Sequence, residues 1–417
     1  MIRRSRLPSG LRVVTEALPG VRSVTLGMWV GSGSRDESDA ESGASHFLEH
    51  LLFKGTDDRT ARDIAHSIES VGGEMNAFTT HEQTVFYVRV PDTHFALAFD
   101  ILTDIVWHPA FRESDVESER QVILEEIGMR DDTPDDLVHE RFEQAMFPEH
   151  PLGREVLGTE GGIKEMARDS IASYHAAHYQ PSNIVFAAAG NLDHDDVLAR
   201  ADSQFPQRST RRPDRRRPAL RDTDTLVVTN RPTEQDHVVV GVRALPALDP
   251  DRYAFTVLNQ ALGGGMSSRL FQEIREERGL AYSVYSYRAA YEDTGFLAVY
   301  AGTAPERVRE TLGVIDAEFD RLVTTGLTSD ELDAAKGHIA GSLAMSLETS
   351  SSRMRRIGRS EQVEGEVPPI DDLVARVLAV TADAVARVVD REVRDAPRTL
   401  AVVGPHEPAD FETVSRV

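Results

Sequence analysis

The order of predicted strands and helices occurs twice, on either side of a polar segment that contains prolines. That segment, residues 209–218, has few apolar side chains to bury, and we interpret its basic charge as that of a solvated linker. The first half has strand-like runs at 11–15 and 23–30, helical patterns from 44 and over 61–71, alternating runs at 74–80 and 84–90, and helical patterns from 94 to 129. The second half has strand-like runs at 225–228 and 237–242, helical patterns over 253–262 and 267–277, strands at 281–287 and 295–301, and helices over 306–324 and 329–354.

Shorter segments repeat in the same way. Residues 111–116 and 327–332 both resemble the capped start of a long helix. Residues 183–190 and 398–404 are apolar runs that end in glycine, which favours buried strands. We therefore predict an α+β protein of two similar, duplicated domains, each a mostly antiparallel sheet packed against helices. The predicted N-terminal domain spans 1–208, the linker 209–222 and the C-terminal domain 223–417.

Composition excludes several classes of partner. A chain of 417 residues is too long for one ordinary core, and its formal net charge of −23 argues against nucleic acid or an anionic membrane as a partner. No run approaches the roughly 20 consecutive apolar residues that a membrane span needs. No apolar segment follows the basic N-terminus as in a signal peptide, and there are no cysteines, so we predict a cytoplasmic protein.

A short segment from Ser45 to Phe53 carries the main chemical signal. His46, Glu49 and His50 share one face of a helix, while the apolar residues between them indicate that the helix is largely buried. Unpaired polar groups in such surroundings are costly, and a bound cation would remove that cost. Imidazoles at i and i+4 suit Zn²⁺, and the adjacent carboxylate can face water on the metal. The H-x-x-E-H order is the inverzincin motif; the alternative interpretation is a structural cluster of hydrogen-bonded histidines.

A zinc site needs a third protein ligand, and a carboxylate on another helix is the natural donor. The strongest candidates lie in residues 117–127, where Glu119 and Glu126 are two helical turns apart on one face. Glu125 points about 100° away from Glu126. Spacing alone does not decide between Glu125 and Glu126.

Together these segments resemble the pitrilysin or insulinase family of zinc peptidases, which includes the mitochondrial processing peptidase. The resemblance rests on residues 31–35, 46–56, 72–80, 119–127, 151–154, 157–158 and 179–183, in that order and spacing. It covers nearly the whole chain and is closest to the short bacterial members that resemble processing-peptidase subunits.

The resemblance implies a role for several residues. It implies that His46, His50 and Glu126 bind one Zn²⁺ per chain and that Glu49 is the general base. It implies that Glu119 supports the site through hydrogen bonds. A strand edge at Asn76 and Ala77 would pair with the substrate backbone. The chain departs from the family at His81-Glu82, where Arg-Glu is common, which puts a substrate contact by this loop in doubt.

The second half contributes a glycine-rich run, 263–265, and the pair Arg275 and Tyr282. The run matches neither common phosphate-binding pattern, so nucleotide binding is not expected. The spacing of Arg275 and Tyr282 resembles an Arg/Tyr pair with which the family binds substrate carbonyls and stabilises the oxyanion. The alternative is an exposed charged helix end at Arg275 beside a tyrosine packed in a strand.

The predicted function is that of a zinc-dependent endopeptidase that hydrolyses short or unfolded peptides in an enclosed chamber, with Glu49 activating a zinc-bound water. Because one chain carries both the zinc motif and the Arg/Tyr pair, a homodimer is the simpler expectation. A heterodimer with a related, metal-free subunit remains an alternative. Two other interpretations are a non-catalytic subunit or scaffold and a zinc hydrolase of a non-peptide substrate.

Overall fold

The computed structural model describes residues 1–206, 212–215 and 217–411, which form eleven strands and fourteen α-helices. The strands are β1 (Ile2–Arg6), β2 (Arg12–Ala17), β3 (Ser23–Val30), β4 (Glu74–Thr79), β5 (Thr84–Pro91), β6 (Ile184–Gly190), β7 (Leu226–Asn230), β8 (Asp236–Ala244), β9 (Ala281–Ala290), β10 (Gly295–Thr303) and β11 (Thr399–Gly404).

The helices lie singly or in groups between these strands along the chain. They are α1 (Ala44–Leu52), α2 (Ala61–Glu69), α3 (Phe95–Trp107), α4 (Glu113–Asp131), α5 (Pro134–Met146), α6 (Glu160–Glu165), α7 (Arg168–His178), α8 (His194–Gln204), α9 (Arg252–Gly263), α10 (Val308–Thr325), α11 (Ser329–Met345), α12 (Ser350–Val363), α13 (Ile370–Leu378) and α14 (Ala382–Glu392). Among the described residues, no helix is both long enough and apolar enough to cross a membrane.

The chain forms two compact units, and each draws on both halves of the sequence. The first unit comprises Met1–Gly128, Arg154–Arg216 and Ser346–Val367. The second comprises Met129–Gly153, Arg217–Met345 and Pro368–Val417. The compact units therefore differ from the predicted limits, 1–208 and 223–417, by the segments that carry α5 and α12.

The two units contain sheets of the same topology. The first sheet has the order β1-β2-β6-β3-β5-β4 and the second β7-β11-β8-β10-β9. In the first, only β2 and β6 are parallel; in the second, only β7 and β11 are parallel. Without β1, the two orders correspond strand for strand. The predicted fold class, two duplicated α+β domains with mostly antiparallel sheets, is confirmed.

Helix α12 covers the outer face of the first sheet. In β3, alternate side chains such as Leu26 and Met28 enter the main core, while Trp29 points to the opposite face and packs with Met354 and Ile357 of α12. The indole of Trp29 donates to the Met354 sulfur at 3.4 Å, and Gly358 allows the approach because a Cβ there would lie 2.2 Å from that indole nitrogen. Burial of each such side chain contributes about 1.5–3 kcal/mol.

Helix α5 does the same for the second sheet. Val238 and Val240 of β8 enter the main core of this unit, whereas Val239 packs on the other face against Phe142 and Met146 of α5. The segment 129–153 lies in the first half of the sequence, and 346–367 lies in the second. The first half of the sequence therefore supplies the helix that buries the outer face of the second sheet. The second half supplies the helix that buries the outer face of the first sheet.

One prediction of local structure was wrong. The helix expected over 329–354 is broken: α11 ends at Met345, and Thr349 begins α12 by accepting a hydrogen bond from the Ser352 backbone. The segment predicted as a helix over 267–277 is helical, and Phe271–Glu276 forms a π-helical turn within it.

The predicted linker lies partly outside the described residues, at 209–211 and 216. In the described part, the guanidinium of Arg215 pairs with Asp36 at 2.8 Å and donates to the Glu82 backbone oxygen at 2.8 Å. The segment is therefore docked on the first unit at Arg215 and is not solvated there.

Candidate functional site

Helix α1 places the motif residues. Phe47, Leu48, Leu51 and Leu52 are buried in the core of the first unit, so the apolar positions fix which side of the helix faces inward. His46, Glu49 and His50 lie on the remaining face and are only partly exposed. The sequence pattern alone therefore dictates that the two imidazoles and the carboxylate lie together.

Helix α4 supplies the facing carboxylates. Val116, Ile123 and Ile127 are buried and hold this helix against the core, while Glu119 is also buried and Glu126 is half-buried. Glu125 is exposed. The structure thus brings Glu126, and not Glu125, to the histidines.

Three donor atoms converge between the two helices. The Glu126 Oε2 atom lies 3.7 Å from His46 Nε2 and 3.6 Å from His50 Nε2. One donor atom from each of the three residues lies within 4.8 Å of the other two. Ligands of tetrahedral Zn²⁺ with bonds of about 2.0–2.1 Å are roughly 3.4 Å apart. The donor set and its spacing therefore fit a zinc ion, and within the described part of the chain no other group of this kind occurs.

The protonation of His46 suits a metal ligand. Burial, and to a smaller extent the neighbouring His50, lower the pKa of His46 to about 4. The imidazole is therefore neutral at neutral pH, the form in which histidine binds metals.

Glu119 fixes the orientation of His50. Its Oε2 atom lies 3.1 Å from His50 Nδ1, and its Oε1 atom lies 2.5 Å from the Lys54 ammonium. A carboxylate at Nδ1 holds the proton on that nitrogen and leaves Nε2 free to face Glu126. The sequence analysis did not identify Lys54; its position four residues after His50 was the available signal.

Glu49 lies beside the histidines, at the end of strand β4. Burial raises its pKa, a hydrogen bond from Thr79 and the nearby His50 lower it, and Glu126 raises it. Thr79 is the last residue of β4, so one hydrogen bond joins the predicted general base to this strand. The sequence analysis did not identify Thr79 either.

Strand β4 is the free edge of the first sheet, since it pairs only with β5. Asn76 and Ala77 lie in the middle of it, and the Ala77 N–H donates to the Asn76 side-chain oxygen at 2.8 Å. The backbone groups on the unpaired side of an edge strand are available to an added strand.

The His81-Glu82 loop is used within the protein. The Glu82 carboxylate pairs with the fully buried Arg35 guanidinium at 2.7 Å, and burial lowers the pKa of His81 to about 4. These contacts link the loop to the segment that precedes α1.

Arg275 and Tyr282 lie together in the second unit. The Arg275 guanidinium carbon is 4.5 Å from the centre of the Tyr282 ring and 4.8 Å from that of Phe271. Tyr282 is 78% exposed, so it is not the packed strand tyrosine of the alternative interpretation. Arg275 belongs to the π-helical turn, a feature often found at functional sites.

Two family models match the chain. Residues 12–160 match the model described as Insulinase (Peptidase family M16), and residues 165–338 match the Peptidase M16 inactive domain. Among curated proteins, an uncharacterized zinc protease of Streptomyces coelicolor is 46% identical, with 97% of this chain and 90% of the relative covered. An uncharacterized zinc protease of Bacillus subtilis is 38% identical, with 97% of this chain and 98% of the relative covered.

A solved structure supports the fold. A protease from Helicobacter pylori superposes with a TM-score of 0.90 at 22% identity, over 97% of this chain and 99% of that one. At this level of identity the likeness concerns the fold alone.

Proposed function

Since the chain belongs to the insulinase family of peptidases, M16, we propose that it is a zinc-dependent endopeptidase that hydrolyses short or unfolded peptides. One observation carries this proposal: three suitable donor atoms, of His46, His50 and Glu126, converge beside the carboxylate of Glu49. The names of the relatives support zinc as the metal.

The roles of the residues follow from their positions. His46, His50 and Glu126 would hold one Zn²⁺ per chain, and Glu119, braced by Lys54, would keep His50 oriented. When bound, the ion would act as a Lewis acid and lower the pKa of water in the site towards roughly 7. Glu49 takes a proton from the attacking water at its carboxylate and delivers it to the nitrogen of the leaving amine.

The substrate is proposed to add a strand to the edge of β4. Its backbone would pair with Asn76 and Ala77, and Thr79 would connect this strand to Glu49. Arg275 and Tyr282 are proposed to donate to substrate carbonyl oxygens and to stabilise the oxyanion, acting in the same chain or from a second copy. A homodimer is the simplest assembly that would supply them from a second copy.

The competing function is that of a non-catalytic subunit in a heterodimer. Such a subunit has no need of a complete site, whereas this chain keeps the three donor residues, Glu49 and Glu119 together. The first experiment therefore measures zinc content and turnover of a panel of unstructured peptides by the purified full chain. Turnover that a chelator abolishes and added zinc restores is expected; a zinc-loaded chain that cleaves no peptide would favour the subunit.

The role of Glu49 is tested by Glu49→Gln, with Glu125→Gln as a matched control on an exposed position. Glu49→Gln should keep the wild-type zinc content and lose turnover by about 10²–10⁴-fold or more, because it removes the proton acceptor. Glu125→Gln should change neither quantity. Retained turnover in Glu49→Gln would contradict the assignment.

Whether Arg275 and Tyr282 act from a second chain is tested by complementation. Glu49→Gln and Tyr282→Phe chains are assayed alone and after mixing. Recovered turnover in the mixture is expected for a shared site in a dimer. A strict monomer in solution with full activity would rule out the dimer.

A further inference from the structure

Helix α1 begins without a capping side chain of its own. The residue at its N-cap is Gly43, which adopts a φ of +92°. A Cβ at Gly43 would lie 2.7 Å from Ile163 Cδ1 and 2.9 Å from the Leu157 backbone oxygen, so the approach of that loop also requires glycine. The first backbone N–H groups of the helix therefore need acceptors from elsewhere.

Glu37, six residues before Gly43, supplies these acceptors. One carboxyl oxygen accepts from the Gly43 N–H at 2.8 Å and the other from the Ser45 N–H at 2.7 Å. Glu37 is 3% exposed, and burial raises its pKa to about 8 although both hydrogen bonds act in the opposite direction. Burial of this carboxyl group therefore costs free energy, which the hydrogen bonds from Gly43 and Ser45 offset in part.

The rest of the first turn is held just as tightly. The Ser45 hydroxyl lies 2.9 Å from the hydroxyl of Tyr174, and both residues are buried. Arg154 donates to the backbone oxygen of Glu37 at 2.9 Å and pairs with Asp39 at 3.3 Å, which anchors the segment that carries the carboxyl group.

This contact lies directly before the motif. Ser45 precedes His46, so any movement of the first turn moves the His46 imidazole relative to His50 and Glu126. A metal site tolerates displacements of only roughly 0.5 Å before binding suffers. His50, one turn further along, has a second anchor in Glu119, whereas the backbone of the His46 turn has its carboxyl anchor in Glu37.

We propose that Glu37 is a positioning residue for the metal site, which fixes the first turn of α1 and thereby the distance between His46 and the other two donors. This inference rests on the proposed zinc site and extends it to a residue outside the motif. Glu37 accepts hydrogen bonds from the backbone N–H groups of Gly43 and Ser45 and acts on the site through them.

The test compares Glu37→Gln with Glu361→Gln. Glutamine has the same shape, but its amide nitrogen cannot accept a hydrogen bond, so one of the two N–H groups loses its acceptor. Glu361 is a matched control because it is a buried glutamate of the same unit, 4% exposed and paired with Arg4 at 2.6 Å, but it lies on α12. Zinc affinity is measured by competition with a chromophoric chelator, and the ligand geometry by the visible spectrum of the Co²⁺-substituted chain.

Glu37→Gln is expected to bind Zn²⁺ about 10–100-fold more weakly, as other supporting residues of metal sites do when replaced, and to change the Co²⁺ spectrum. Glu361→Gln is expected to lower the melting temperature while leaving the zinc affinity and spectrum as in the wild type. A Glu37→Gln chain with wild-type affinity and spectrum would overturn the proposal, and so would an equal loss of affinity in both variants.

A second variant covers the case in which Glu37→Gln does not fold. Glu37→Asp keeps the carboxyl group but is one methylene shorter, so it cannot reach both N–H groups, and a smaller loss of zinc affinity is expected. Wild-type affinity in this variant would overturn the proposal. Since these measurements use metal binding alone, a wild-type chain that binds no zinc would instead contradict the proposed function.

Discussion

The two units contain sheets of the same topology, but the candidate metal site lies in the first unit. Along the chain, helix α1 follows β3 and precedes β4 in the first unit. Helix α9 follows β8 and precedes β9, the corresponding strands of the second unit. Helix α1 carries two histidines and a glutamate, whereas α9, RYAFTVLNQALG, carries neither histidine nor an acidic residue. The same fold therefore carries a group of possible metal-binding residues in one unit and a helix without such residues in the other.

Helix α4 and its counterpart α11 differ in the same way as α1 and α9. When the matching segments 111–116 and 327–332 are aligned, Glu119 corresponds to Ala335 and Glu126 to Ser342 of α11. Ala335 is buried, as Glu119 is, so the position faces inward in both units. The family model that matches 165–338 is described as an inactive domain, in agreement with this loss. A few polar residues, and not the fold, make the difference between the units.

The largest effect should come from a donor in the first unit compared with a histidine in the second. His46→Ala removes one of three ligands and should weaken zinc binding by more than about 100-fold, beyond the loss seen for supporting residues. His338→Ala, on an exposed position of α11, should leave zinc affinity unchanged. Chelator competition measures both, and an effect of similar size in the two variants would remove the distinction between the units.

Two neighbouring glutamates on α4 should differ in the same way. Glu126→Gln exchanges a charged ligand for a weaker, neutral one, and we expect a loss of zinc affinity of about 100-fold. Glu125→Gln, at the exposed neighbouring position, should bind zinc as the wild type does. If Glu125→Gln were the weaker binder, the assignment of the third ligand would be reversed.

Glu119 should have a smaller effect, because it touches His50 and not the metal. Glu119→Gln is expected to reduce zinc affinity about 10–100-fold by loosening the orientation of His50. Glu117→Gln, on the exposed side of the same helix, serves as the control. Equal affinities for Glu119→Gln and the wild type would show that α1 alone orients His50.

A further comparison concerns the pH dependence of stability. The pKa of Glu37 rises from 4.5 to about 8 on folding because of burial, so between these values the folded chain holds a proton that the unfolded chain releases. This contribution to stability is complete below pH 4.5 and is lost as the pH rises through about 8. Its slope is at most about 1.4 kcal/mol per pH unit.

The measurement is denaturant unfolding of the metal-free full chain at several pH values between 5 and 8. Relative to the wild type, Glu37→Gln should be less stable throughout, with a shallower fall of stability towards pH 8. Identical slopes in the two chains would show that Glu37 has the same pKa in the folded and unfolded states.

Local patterns predicted the central elements well. The bounds of β3 and the start of α1 at Ala44 agree with the prediction, because apolar periodicity directly reports which face is buried. The break between α11 and α12 was missed because the apolar pattern continues across it. Thr349 caps a new helix, α12, whose apolar face packs on the first sheet. Local periodicity does not reveal which sheet a helix covers.

The candidate site was predictable in part for the same reason. His46, Glu49 and His50 lie on one helix, and their proximity follows from helical geometry. The choice of Glu126 over Glu125 needed either the family resemblance or the structure, because a rotation of about 100° on a distant helix decides it. Lys54, Thr79 and Glu37 act through tertiary contacts, and single-sequence spacing gives little sign of them.

The donor residues predict that the first unit binds zinc and that the second does not. Diffraction from crystals of the full chain, recorded on both sides of the zinc absorption edge, would locate the bound zinc. We predict one anomalous peak per chain, within bonding distance of His46, His50 and Glu126, and none in the second unit. A zinc-loaded crystal with no peak between these residues, or with a peak of equal height in the second unit, would contradict the account.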